Sequence, residues 1–214
     1  LKANTAGNNT AVGFESLLAN TTGASNTSVG YRALKSVTTG YGNTAIGESA
    51  LITNTGSQNT AVGNAALRLN TGTNNVAVGY LALADTQNVS ELTAVGSYAL
   101  KYNTTGTGLA AFGRMALSNN TTGANNVGLG FEAGKTITTG SNNTVIGSLA
   151  GTTTMASTVL IGAGTTERLK VTSAGLFVNG SSTALVGGAS SIDGLSDGVV
   201  AASGSTTGLG LGSL

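Results

Sequence analysis

The sequence predicts an all-β protein: a parallel β-solenoid of about ten coils. Three observations predict it. First, a glycine preceded by an aliphatic or aromatic residue recurs at Gly13, Gly30, Gly47, Gly63, Gly79, Gly96, Gly113, Gly130, Gly147 and Gly162, at spacings of 17, 17, 16, 16, 17, 17, 17, 17 and 15 residues. A fixed period of this length marks a stack of like units. Second, the segments between glycines are too short for helices, and "NTAVG" alternates its side chains at period 2, as a strand does. Third, the 214 residues include 34 glycines and no proline, while charged residues are only 8%. That charge is too low for self-repulsion to keep the chain expanded, so the Thr-, Asn-, Ser- and Gly-rich composition need not mean disorder.

Each position of the repeat has a character. The residue before the glycine is Val12, Val29, Ile46, Val62, Val78, Val95, Phe112, Leu129, Ile146 or Ile161. The residue four after it is Leu17, Leu34, Leu51, Leu67, Leu83, Leu100 or Leu117, preceded by Ser16 or an alanine such as Ala33. One unit cannot bury these side chains alone. Stacked units place Val over Val and Leu over Leu, so both columns are predicted to form the core. Four residues before the glycine stands an asparagine, at Asn9, Asn26, Asn43, Asn59, Asn75, Asn126 and Asn143, interrupted by Leu92 and Leu109. Aligned amides can hydrogen-bond from coil to coil as a ladder. A second glycine closes most units, among them Gly23, Gly40 and Gly56; in the fifth unit Asn88 is the expected substitute, because Asn tolerates positive φ.

The chain divides into residues 1–164, the repeat; residues 165–188, a β connector; and residues 189–214, a Gly- and Ser-rich segment that re-enters the repeat phase. Joined end to start, the chain would place Gly210 seventeen residues before Gly13, so one unit of a longer tandem or head-to-tail array is an expectation. The coils bury few residues each, and small cores are marginal alone. Association with copies of itself, most simply as a homotrimer, is expected to cover a second apolar face.

Several functions are disfavoured. There is no histidine or cysteine, and the scattered carboxylates form no acid–base motif, so no enzyme activity, cofactor or metal site is expected. "SIDGLSDG" offers Asp193 and Asp197, which read as a solvated turn rather than a calcium site. Nine Lys and Arg spread over the chain make no basic patch for nucleic acid, and no apolar run approaches the roughly 20 residues that span a bilayer. The residue after the glycine varies most: Phe14, Tyr31, Tyr80, Arg114 and Phe131 stand there, with Glu48, Asn64, Ser97 and Ser148. A position that tolerates aromatic, charged and small residues is expected at a surface, where aromatics suit contact with a glycan, a protein receptor or a neighbouring chain.

The motif "NTAVGxxAL" followed by "NTTG" resembles the short repeats of bacteriophage tail-fibre proteins, and is similar to the head repeats of trimeric autotransporter adhesins, which repeat at 14 to 15 residues. The resemblance covers Asn4 to Gly162, and "ERLKVTSAGLFVNG" from Glu167 looks like the segment that follows in phage fibres. It implies a homotrimeric rod, extracellular or on a virion surface, that forms or holds a receptor-binding surface. Two other readings remain open on the residues: an amyloid-like extracellular fibril, favoured by low charge and Asn ladders, and an ice-binding solenoid, favoured by frequent threonine.

Overall fold

The computed structural model describes residues 5–178. The C-terminal segment, its re-entry into the repeat phase, and the Asp193–Asp197 turn lie outside the described residues. The fold is a parallel β-solenoid of about nine turns followed by a hairpin. Its strands are β1 (Thr10–Val12), β2 (Thr27–Val29), β3 (Thr44–Ile46), β4 (Thr60–Val62), β5 (Val76–Val78), β6 (Thr93–Val95), β7 (Ala110–Phe112), β8 (Val127–Leu129), β9 (Thr144–Ile146), β10 (Val159–Ala163), β11 (Thr166–Thr172) and β12 (Gly175–Val178). They form one sheet in strict sequence order. β1 to β10 pair in parallel, repeat position on repeat position, as in Thr10↔Thr27 and Val12↔Val29. β11 turns back antiparallel on β10, and β12 on β11, so the hairpin covers the last coil. No helix occurs among the described residues.

Each coil has one three-residue strand; the "xxAL" stretch is a run of bends. Its leucines adopt positive φ, from 48° to 51° at Leu34, Leu67, Leu83 and Leu117, and so do the residues two before them, such as Arg32 and Ala65. Left-handed backbone costs a non-glycine residue about 1–2 kcal/mol. Full burial of the leucine side chain, worth about 1.5–3 kcal/mol, offsets it. Backbone hydrogen bonds continue through the bends: Leu34 N–H donates to Ala50 O at 3.0 Å and Arg32 N–H to Phe14 O at 2.8 Å. The bend is therefore as firmly tied to its neighbours as the strand.

The core lies between this leucine column and the middle residue of each strand. Leu17, Leu34, Leu51, Leu67, Leu83, Leu100 and Leu117 are fully buried, as are Ala45, Ala61, Ala77, Ala94 and Ala111. The column read from the sequence as the other half of the core is placed differently. Val12, Ile46 and Phe112 are 56%, 42% and 42% exposed, and Val29, Val62, Val78 and Val95 are only half-buried. In Thr-Ala-Val the alternation turns one residue in and two out. In most coils the interior is thin and takes alanine while both neighbours face outward; Val145 and Leu160 hold the same inward position in the last coils and are buried there. Where serine replaces alanine, Ser28 stays buried by bonding Ser16 Oγ at 2.7 Å and Ala33 O at 2.8 Å. The glycines before each bend are required by close approach: a Cβ on Gly63, at φ +130°, would lie 2.6 Å from Gly79 O of the next coil.

Candidate interaction surfaces

A buried polar seam runs the length of the coils. The predicted asparagines Asn26, Asn43, Asn59, Asn75, Asn126 and Asn143 are buried, and Asn9 is partly buried in the first coil. Each side-chain oxygen accepts the backbone N–H of the residue stacked on it: Asn9 from Asn26 at 2.8 Å, Asn43 from Asn59 at 3.0 Å, Asn126 from Asn143 at 2.9 Å. Each amide nitrogen also donates across its own coil to the closing carbonyl, as Asn26 does to Gly40 O at 2.8 Å. Amide-to-amide bonds link coils at Asn43–Asn26, Asn75–Asn59 and Asn143–Asn126.

The sequence reading missed a second column. Asn20, Asn54, Asn70, Asn103 and Asn120 sit seven residues after the glycine and are fully buried. Their fixed spacing was a legible signal, hidden because "NTTG" also reads as a turn. The two columns complement each other. Leu92 and Leu109 replace the first asparagine, and there Asn103 and Asn120 bond Gly106 O and Gly123 O. Val37 and Ile137 replace the second, and there Asn26 and Asn126 bond Gly40 O and Gly140 O. A closing carbonyl without an amide partner would be buried and unpaired, at a cost of about 1–3 kcal/mol. In the fifth coil Val89 O takes this role, bonded by Asn70 and Asn75. Val89 thus stands where Asn88 was expected, while Asn88 adopts a positive φ of 46° beside it.

The outside of the solenoid has two contrasting surfaces. One is the arc of the bend, one to six residues after the glycine. It holds Glu15, Arg32, Lys35, Glu48, Arg68, Asp85, Lys101, Arg114, Glu132 and Lys135, which are all the charged residues from 5 to 163 except Glu91. Several pair between adjacent coils: Glu15 with Arg32 at 2.7 Å and Lys35 at 2.8 Å, and Arg68 with Asp85 at 2.7 Å. The Lys35 and Arg32 hydrogen bonds hold the Glu15 carboxyl below the ordinary carboxylate range. Arg114 approaches Glu132 at 3.8 Å.

The predicted contact residues lie on this arc, exposed, but they do not form one site. Phe14 and Tyr31 stack at 5.6 Å, with the Arg32 guanidinium 4.8 Å from the Tyr31 ring. Tyr80 meets Tyr98 edge-on at 5.2 Å, where Lys101 also lies 4.2 Å from the Tyr102 ring. Arg114 lies 5.5 Å from Phe131. The structure therefore makes three aromatic–cation patches along the rod. Tyr98, Lys101 and Tyr102 were not singled out from sequence, because they fall at other repeat positions.

The second surface is the outer face of the sheet. Its two rows carry only Thr, Val, Ile, Leu, Ala and Phe from Thr10 to Ile146. A shallow groove of about 440 Å³ also opens between the last coil and the hairpin, lined by Leu149, Met155, Leu160, Glu167 and Lys170 among others. No cluster of three His, Cys, Asp or Glu that could hold a metal occurs among the described residues. No helix among them is long and apolar enough to cross a membrane. Comparison with protein-family models, curated proteins and solved structures returned no match.

Proposed function

We propose that this chain is a structural segment of a fibre, a stiff rod that serves attachment and performs no catalysis. The observation that carries the reading is the unbroken in-register stack from β1 to β10, with strands, bends and buried amides all bonded to the next coil. Nine rises of about 4.8 Å give a rod of roughly 43 Å. Stability spread over like coils has no single weak point, and suits load and reach rather than a reactive centre. The three aromatic–cation patches repeat a weak contact along one side, and such a surface gains by multivalency. A glycan or protein on a cell surface is the receptor class that fits rings flanked by charge.

The repeat motif's resemblance to phage tail fibres and trimeric adhesin heads supports an extracellular or virion-borne setting and assembly as a homotrimer. Electron microscopy of the native protein, with cell binding measured in parallel, tests the reading. Slender rods that bind cells, with binding reduced at least tenfold in the Tyr31→Ser, Phe131→Ser variant, are expected. Particles with no long axis, or cell binding unchanged by that variant, would sink the rod or the attachment half respectively.

A further inference from the structure

We infer that the outer Thr–Val face of the sheet is an interface between copies of this chain. The inference rests on the multi-chain rod proposed above and names the face through which two of its chains would meet. The residue before each glycine is apolar in every coil, although the alternation of the strand turns it outward. Nothing inside the chain demands this. Threonine, equally β-branched, abounds in the repeat and fills most of the other outward row, so strand preference alone does not select valine here. Yet Val12, Ile46, Phe112 and Leu129 stand 42% to 56% exposed in one continuous row. A contiguous apolar strip along a whole element marks a surface that something covers.

The occupant must meet two conditions. It must be uncharged where it touches the face, since neither outward row carries a charge from Thr10 to Ile146 while the bend arc carries ten. It must also match ridges about 4.8 Å apart over nine rungs. The same face of a second copy meets both, because it has the same rows at the same pitch. Two such faces, each about 43 Å by roughly 10 Å, would cover on the order of 900 Å² together, below the roughly 1,200 Å² of stable specific interfaces and in the range of weak, reversible association. A contact of that size should not survive a desolvated charge at its centre. An ice lattice is the other regular partner a flat sheet could meet. The face lacks the constant relief it needs: Val76, Ala110 and Val127 interrupt the threonine row, and Phe112 and Leu129 protrude from the valine row. A protein partner can accommodate those bumps.

The test is the mass of the native protein by sedimentation across a range of concentrations. It is made for the natural chain and for the Val62→Lys, Val95→Lys variant, with circular dichroism as the check on folding. The mass of the natural chain is expected to rise with concentration from 20.7 kDa towards a whole multiple of it, and the variant to stay a monomer with the same β spectrum. A milder variant, Val62→Thr with Val95→Thr, keeps the strand preference and the neutral charge, and covers the case in which lysine prevents folding. It is expected to weaken association about tenfold. A multimer unchanged in the folded variants overturns this interface and leaves the multi-chain rod standing. A natural chain that is monomeric at every concentration overturns both. A monomer showing thermal hysteresis that the lysine variant loses assigns the face to ice instead.

Discussion

At the scale of single residues, the buried amides do what covalent cross-links do in other small domains. Each asparagine serves two backbone groups that no strand ladder reaches: a stacked N–H and a closing carbonyl. Redundancy differs from coil to coil. Gly56 O accepts from both Asn43 and Asn54, at 3.0 and 3.2 Å, whereas Ile137 leaves Gly140 O to Asn126 at 2.7 Å. Asn43→Ala and Asn126→Ala both orphan one stacked N–H, of Asn59 or Asn143. Only the second also strips a closing carbonyl. Asn126→Ala is therefore expected to be the more destabilising, by about 1 kcal/mol, measured as the shift in urea midpoint at constant slope. Equal losses would show that the second column adds nothing. The first column was legible because its residue type is fixed over most units. The orientation of the valines was not. Period 2 says which residues share a face of a strand, and leaves open which face is inside. Here the inward position takes the small Ala61 while Thr60 and Val62 face out, and only in the last coils, at Val145 and Leu160, does it hold a larger side chain.

At the scale of the element, the unit is one strand and one run of bends, not two strands. The sequence suggested two short segments separated by glycine, because "xxAL" repeats as regularly as "TAV". Its left-handed residues could not be read from residue type, since leucine and alanine rarely adopt positive φ. They do so here because the alternative would turn Leu67 out of the core. This makes the bend sensitive to branching rather than to volume. In an ordinary core, exchanging Leu for Ile or Met costs less than about 1.5 kcal/mol. At Leu67, with φ 51° and full burial, methionine is expected to stay within that limit. Isoleucine, whose branched Cβ crowds the left-handed backbone, is expected to exceed it. Thermal unfolding of Leu67→Ile and Leu67→Met measures the difference, and equal melting temperatures would refute the assigned backbone strain. Gly134 supports the same picture. It holds the leucine position of the eighth coil at φ +65°, and a Cβ there would lie 2.7 Å from Leu117 Cδ2 and 3.2 Å from Ile137 Cδ1. The Ile137 side chain, supplied three residues later, occupies the space a leucine would have filled.

For the whole molecule, the consequence of like-on-like stacking is that length and stability are separable from any one coil. Every strand from β1 to β9 meets its neighbours in the same register, so one whole unit can be removed without altering a pairing type. Deleting residues 60–75 would join Asn59 to Val76. It would bring β3 onto β5 with Thr44 facing Val76 and Ile46 facing Val78, and keep Asn43 in line with Asn59. Nearest-neighbour energetics predicts that such a chain folds cooperatively, loses about one coil's share of stability, and is shorter by one rise of about 4.8 Å. Removing only residues 60–67 deletes about as much as half a unit. It would put Arg68 where Thr60 stands and leave a spacing of 24 residues from Gly47 to Gly79, too many for one coil and too few for two, so the joining coil cannot close while the later coils keep their mutual register. The larger deletion is thus expected to be the milder one. Far-ultraviolet circular dichroism and denaturant slope for the two deletions decide the matter. If the 16-residue deletion unfolds the chain as completely as the 8-residue one, the coils do not act as interchangeable units. In that case a rod whose length can vary by whole repeats is the wrong description of the protein.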